Sequence, residues 1–393
     1  MKKNSSKFQG KHFLQIPGPT NVPERVLNAM NYPTIDHRGT EFADLGRKCL
    51  DQIKTIFKTK SNVVIFPSSG TGAWEAAIVN TLNEGDTALM VETGHFASLW
   101  EKLAKKFKIK TKIIKSSWRT GVDPDKIKDI LCSDRKQEIK ALCVVHNETS
   151  TGCTSNIKAV RDAINFAKHK ALLMVDTISS LASINYEHDS WGVDVTVGGS
   201  QKGLMLPPGL SFNAISRKAL NFSKYNGSNR SYWDWEEHIN SNKNGQFPYT
   251  PATNMLYGLT EAIDMLHEEG LDNVFKRHKR HADATRKAVQ SWGLEILCEN
   301  PQDYSNSLTA VLLQENYNAD HFRKIALEKY NLSLGNGLSR LAGKVFRIGH
   351  LGDFNDLMLL GTLSGIEMTL KDLDIPFQNG GVLKAMQFLQ GNN

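Results

Sequence analysis

The chain predicts an α/β fold: a mainly parallel sheet sandwiched by helices, followed by a smaller C-terminal α+β domain. Three observations predict it. Short apolar runs alternate with helical periodicity from about residue 63 to residue 215, as expected for strands buried on both faces. These runs end repeatedly in small and polar residues, where open α/β sheets place their ligands. After about residue 270 the alternation gives way to a mixed order of strands and helices. The 393 residues are enough for two domains around sizeable cores.

Taken in order, residues 1–12 read as a loose arm, within an N-terminal arm of 1–16. Ile16-Pro17-Gly18-Pro19-Thr20-Asn21-Val22-Pro23 is stiffened by its prolines. It reads as a lead-in to a helix near Glu24–Met30, or as a fixed backbone wall of a pocket. Asp36-His37-Arg38-Gly39 reads as a salt-bridged turn. Val63–Phe66 is a buried strand that runs through Pro67-Ser68-Ser69-Gly70-Thr71-Gly72 into a helix over Ala73–Leu82. Strands at Thr87–Val91, Thr111–Ile114, Ala141–Val145, Leu172–Val175, Val193–Val197 and Ser211–Ile215 follow. Helices at Ser98–Phe107, Pro124–Leu131 and Asn156–Lys168 separate the earlier ones, the last capped by Ser155 or Asn156. Residues 217–246 are polar, with Tyr232, Trp233 and Trp235 among them. Helices at Asn254–Glu269 and Val274–Trp292 come next. Strands near Leu294–Leu297, Leu308–Leu313 and Val345–Ile348 then mix with helices at Ala319–Tyr330 and Phe354–Leu370. The domain division is therefore a large domain over 17–270 and a small one over 271–393.

Composition narrows the function classes. Hydrophobic content of 40% and charged content of 23% describe an ordinary soluble chain. The net charge of +7 is dispersed, and its densest patch, Lys105 to Lys112, reads as a solvated helix end and edge strand. No nucleic-acid recognition motif accompanies it. The milder reading is attraction of small anionic substrates. The five cysteines are scattered and form no C-x-x-C pair, so neither zinc nor a disulfide framework is indicated. No apolar run approaches a membrane span, no signal-peptide core follows the basic N-terminus, and Gly391-Asn392-Asn393 is not a peroxisomal address. A cytoplasmic protein with reduced thiols is expected.

The strand ends carry the chemistry. Gly199-Ser200-Gln201-Lys202 puts one lysine on a glycine-rich turn after a buried strand. Burial lowers an amine's pKa and frees it to form an imine with an aldehyde, although many strand-end lysines simply reach back to water. Ser69-Gly70-Thr71-Gly72 opens a helix, and free amides with the helix dipole favour phosphate there. It is not a Walker A loop, since no Gly-Lys-Ser/Thr ends it. Phe96, Thr149 and Asp176 also fall just past strands. A phosphate loop, an aromatic, a hydroxyl, an acid and a lysine are what pyridoxal phosphate requires. Arg347, between Phe346 and Ile348, is costly to bury without an anion. That anion is an internal carboxylate or a substrate carboxylate gripped by the guanidinium fork.

With these residues in view, the chain resembles the class V aminotransferases of pyridoxal-phosphate fold type I, and within them the serine–glyoxylate and alanine–glyoxylate enzymes. The similar stretches are Pro17–Asn21, Ser69–Glu75, His146–Gly152, Gly199–Lys202, Pro248–Pro251 and Ala342–Gly352. The resemblance implies a seven-stranded sheet and a ping-pong transamination, with serine and glyoxylate giving 3-hydroxypyruvate and glycine. Alanine–glyoxylate or aspartate–glyoxylate exchange is the alternative. It implies that Lys202 carries the cofactor as an aldimine and shuttles the proton, and that Asp176 pairs with the ring nitrogen. Thr71, Gly72, Ala73 and Gln201 would hold the phosphate, Phe96 would stack on the ring, and Thr149 would lie beside it. Arg347 would bind the substrate carboxylate, with Thr20 and Asn21 forming the polar wall for the donor side chain. Thr250 would reach the phosphate of the neighbouring subunit in a homodimer. Phe247 falls where relatives place a second tyrosine contact, so that hydrogen bond is not expected. A lyase or desulfurase would need a mobile nucleophilic cysteine, and Cys153 and Cys298 lie in no such loop.

Overall fold

The computed structural model describes residues 10–391. The remaining part of the expected arm, 1–9, and the end of the chain, 392–393, lie outside the described residues. The chain enters through β1 (Phe13–Gln15) and passes α1 (Glu24–Met30) and α2 (Thr40–Phe57). It then alternates through β2 (Asn62–Phe66), α3 (Gly70–Thr81), β3 (Thr87–Glu92), α4 (His95–Lys106), β4 (Lys110–Lys115), α5 (Pro124–Ser133) and β5 (Ile139–Val145). A small hairpin, β6 (Asn147–Glu148) and β7 (Cys153–Thr154), precedes α6 (Ile157–Phe166), β8 (Leu172–Asp176), β9 (Val195–Gly199) and β10 (Ser211–Ile215). Four helices follow: α7 (Arg217–Lys224), α8 (Trp235–Asn242), α9 (Thr253–Glu269) and α10 (Leu271–Ser291). The chain closes through β11 (Glu295–Ile296), β12 (Leu308–Leu312), α11 (Ala319–Tyr330), β13 (Leu332–Asn336), β14 (Val345–Gly349), α12 (Asp356–Asp372) and α13 (Gly381–Gly391).

The main sheet has seven strands in the order β2-β10-β9-β8-β5-β3-β4. It is parallel except for β10, which runs against both neighbours. Its strands are buried on both faces with a period of two. Met90, Cys143 and Met174 enter one core with Trp74 and Trp100 of α3 and α4. Leu89, Leu142 and Leu173 enter the opposite core with Ile127, Val160 and Ile164 of α5 and α6. Each such side chain contributes roughly 1.5–3 kcal/mol by leaving water. Lysine-rich β4 is the sheet's edge, and charge on an exposed edge discourages pairing with another chain.

The second sheet has the order β1-β13-β14-β12-β11 and packs on α10 to α13 through Trp292, Phe322, Phe346, Leu359 and Leu363. The first strand begins just after the expected loose arm of 1–12 and inside the expected N-terminal arm of 1–16. Phe13–Gln15 pair in parallel with Leu332–Leu334, so this segment is stitched to the C-terminal sheet. Pro17 follows at once and is thereby anchored between the two sheets. The polar stretch 217–246 is also more ordered than its composition indicates. Trp235 is fully buried, and its indole N–H donates to Asn213 Oδ1 at 3.0 Å. The Asp36 turn is closed by backbone hydrogen bonds to its own carbonyl and carboxylate, with Arg38 exposed.

Candidate active site

Four adjacent strands, β9, β8, β5 and β3, deliver their C-terminal ends to one edge of the main sheet. Their loops carry Lys202, Asp176, Asn147–Thr149 and Phe96. Parallel β2 brings the start of α3 to the same edge. Together with Gly18 and Pro19 they enclose a cavity of about 240 Å³ lined by Thr71, Trp74, Phe96, Thr149, Asp176, Gln201 and Lys202. A larger hollow of about 570 Å³ lies at the opposite ends of the strands, between Lys136, Lys170 and Tyr225. Those side chains stand in solvent, so the smaller cavity is the better candidate.

Lys202 is buried, 7% exposed, on a turn closed by the Met205 N–H bond to its carbonyl. Its ammonium donates to Pro17 O. The side chain lies over Gly18, where a Cβ would come within 2.8 Å of Nζ. With φ at +99°, Gly18 also has a backbone shape that other residues rarely adopt. Burial, aided by the Arg347 charge, pushes the Lys202 amine down to about 7 against the pull of Asp176 and Glu148. Asp176 ends β8. Its Oδ1 accepts from the Ile178 N–H at 2.7 Å and its Oδ2 from the Trp74 indole N–H at 2.9 Å. Burial nevertheless pushes this carboxyl up to about 7, with Glu148 adding to the rise.

Sequence reasoning quoted Glu148 only as part of a motif. It is fully buried and accepts from the Phe96 and Ala97 backbone N–H groups at the start of α4, and from Ser150 Oγ at 2.6 Å. A Cβ on Gly94 would fall 2.3 Å from its Cγ, so the glycine is what lets the acid seat there. This clamp fixes the backbone that carries Phe96. Arg347 reaches the site from the second sheet. Its Nε donates to Asn336 O at 2.7 Å and its Nη1 to Thr149 O at 2.8 Å. Among the described residues no carboxylate forms an ion pair with it, and the acid whose charge acts on it is the buried Glu148. Burial pushes it down to about 10.

The remaining expected residues fall in three places. Gly72 and Ala73 lie in the first turn of α3, behind Thr71. Thr20 is buried, but its hydroxyl donates to Lys202 O at 3.1 Å, bracing the lysine turn from behind. The Asn21 amide turns to Leu14 O at 3.4 Å. Neither therefore forms the cavity wall expected for a donor side chain. Thr250 is exposed beside a separate hollow with Thr34, His37 and Pro251, apart from the cavity that Lys202 lines.

The cavity fits pyridoxal phosphate on its own chemistry. Ser69 gives α3 no side-chain cap, and Ser69, Gly70 and Thr71 at the start of that helix line the cavity, the kind of helix N-terminus that favours a phosphate. Gln201 Oε1 is buried with no hydrogen-bond partner among the described residues. Lys202, Asp176 and Phe96 all line this one cavity.

Comparison with known proteins agrees with this geometry. The class-V aminotransferase family model matches residues 12–342. The chain is 46% identical to the serine–glyoxylate aminotransferase of Methylorubrum extorquens over 98% of this chain and 97% of that one. It is 41% identical to the L-aspartate–glyoxylate aminotransferase of Paracoccus denitrificans over 95% and 94%. A solved alanine–glyoxylate aminotransferase from Nostoc sp. superposes with a TM-score of 0.87 at 26% identity, covering 92% of this chain and 96% of that one. Fold and site together define a pyridoxal-phosphate-type aminotransferase. The chain belongs to the class-V aminotransferase family.

Proposed function

We propose that this aminotransferase uses pyridoxal phosphate to take the amino group of L-serine and pass it to glyoxylate, giving 3-hydroxypyruvate and glycine. The observation that carries the reading is that Lys202 and Asp176 line one cavity at the strand ends, each shifted to about 7. When bound, the cofactor supplies an aldehyde and an electron-withdrawing ring. Lys202 is the group that holds that aldehyde. An amine with a pKa near 7 has roughly a thousandfold more free base at neutral pH than an ordinary lysine. Displaced by substrate, Lys202 stays on its braced turn and moves the Cα proton. Asp176 would pair with the ring nitrogen and hold a positive charge there. Thr71, Gly72, Ala73 and Gln201 would hold the phosphate, Phe96 would cover the ring and Thr149 would border it. Thr250, exposed in one protomer, is assigned to the phosphate of the partner in a homodimer.

Arg347 takes the substrate carboxylate, for which its fork, bonded directly to no carboxylate among the described residues, is suited. The donor follows from what the cavity lacks. Beyond Arg347, which takes the first carboxylate, the one cation among the described lining residues is Lys202, which is assigned to the aldehyde, so the second carboxylate of aspartate would be buried unpaired. The relative named for aspartate makes that donor the competing reading. Steady-state assays with serine, alanine and aspartate against glyoxylate test it: serine and alanine should lead, and aspartate and 2-oxoglutarate should be poor. If aspartate outruns serine in kcat/KM, the donor assignment is wrong. Among the described residues no helix is long and apolar enough to cross a membrane, in keeping with small, freely diffusing substrates.

A further inference from the structure

Asp176 is held by donors from two elements, α3 and its own loop. Trp74 lies in the N-terminal half of α3, 2% exposed, and also borders the cavity. Its indole N–H donates to Asp176 Oδ2 at 2.9 Å. The Trp100 ring lies against it with centroids 5.8 Å apart and planes 11° from parallel, which fixes the direction of the N–H. The other carboxylate oxygen is taken by the Ile178 N–H at 2.7 Å. With a donor on each oxygen, the carboxylate cannot rotate. Both donors also favour the anion over the acid, against a burial that favours the acid. A protonated Asp176 could not stabilise a positive ring nitrogen.

We infer that Trp74 is a positioning residue for Asp176: its indole N–H keeps the carboxylate anionic and aimed at the ring nitrogen of the cofactor. The inference rests on the cofactor reading above. It also gives α3 two duties, since the helix that offers its first amides to the phosphate carries the indole four residues further on. A phenylalanine at this position would fill most of the space but leave Asp176 Oδ2 without its donor.

The test separates the N–H from the ring that bears it. Replacing Trp74 by benzothienylalanine puts sulfur in place of N–H and keeps the bicyclic shape; Trp74→Phe is the genetically simpler companion. Each protein is titrated with pyridoxal phosphate and with the analogue that has carbon in place of the ring nitrogen. Wild type should prefer pyridoxal phosphate. The isostere should bind it roughly tenfold more weakly, the effect of one hydrogen bond to a charged group, and should bind the carbon analogue as wild type does. In the cofactor-free isostere, the infrared carbonyl band that Asp176→Asn abolishes should persist to higher pH than in wild type. Equal weakening for both ligands would mean that Trp74 only fills space, and an unmoved infrared titration would mean that it does not act on Asp176; either overturns the inference. If wild type binds both ligands alike, Asp176 does not act on the ring nitrogen. In that case the cofactor reading fails and takes this inference with it.

Discussion

Replacing Arg347 by lysine keeps the charge and removes the fork. In the structure Nε and Nη1 are spent on Asn336 O and Thr149 O, at 2.7 and 2.8 Å. Those two bonds lock the guanidinium plane and leave its remaining N–H groups for an incoming carboxylate. An ammonium has three donors on one atom and cannot span both carbonyls and a carboxylate. At least one charge-assisted hydrogen bond is lost, on the order of 1.5–3 kcal/mol. At 1.4 kcal/mol per decade this is a fall of roughly 10- to 150-fold in kcat/KM. It should appear for serine, alanine and glyoxylate alike. The assay is single-turnover amino transfer from serine, compared with ethanolamine, which lacks the carboxylate. Arg347→Lys should lose the advantage of serine over ethanolamine while leaving the slow ethanolamine reaction within about twofold of wild type. An unchanged serine rate, or an equal loss for both amines, would refute the assignment of Arg347 to the carboxylate.

Three further outcomes follow from the same geometry. Asp176→Asn keeps the shape but not the charge; Cα-proton removal should slow by at least about a hundredfold with little change in substrate affinity, measured by deuterium exchange at Cα in single turnovers. Gly18→Ala should both strain the backbone and push the added methyl into Lys202; cofactor occupancy, read from near-visible absorbance, should fall, and full occupancy would show that Lys202 has another seat. The lowered Lys202 pKa fixes a sign for stability. Between about 7 and its ordinary 10.5 the unfolded chain holds a proton that the fold excludes, so the lysine's contribution to stability rises with pH. In the cofactor-free protein, denaturant titrations of wild type and Lys202→Met should therefore show wild type gaining relative to the variant from pH 7 to pH 10, by on the order of 4 kcal/mol. A flat difference would mean that the amine is not buried as described.

The main sheet was legible because its strands are buried on both faces, and a continuous apolar run has few other uses. The helix Thr40–Phe57 was passed over although Phe42, Cys49, Ile53 and Phe57 carry a helical period through it. Leu332–Asn336 is short and half polar, and its strand identity comes from its pairing with Phe13–Gln15, more than three hundred residues away. The reversed direction of Ser211–Ile215 leaves no mark on periodicity, since a buried strand reads the same either way. The strand-end residues were legible because a lysine, an acid and a phosphate loop are chemically conspicuous there. Trp74 was not, because its apolar spacing matches an ordinary core residue and only the fold brings its indole N–H to Asp176. Thr20 and Asn21 sit in the expected stretch, yet their side chains turn to backbone carbonyls, a choice that neighbouring atoms make and residue type does not.

The most direct test of the account is where the cofactor attaches. The purified protein is loaded with pyridoxal phosphate, reduced with borohydride, digested, and its peptides sequenced by mass spectrometry. The account predicts the phosphopyridoxyl group on Lys202 in the Gly199–Gly203 turn, with loss of the near-visible absorbance on reduction. The cofactor fixed to another lysine, or an unmodified Lys202 in a protein that still transfers amino groups, would contradict it.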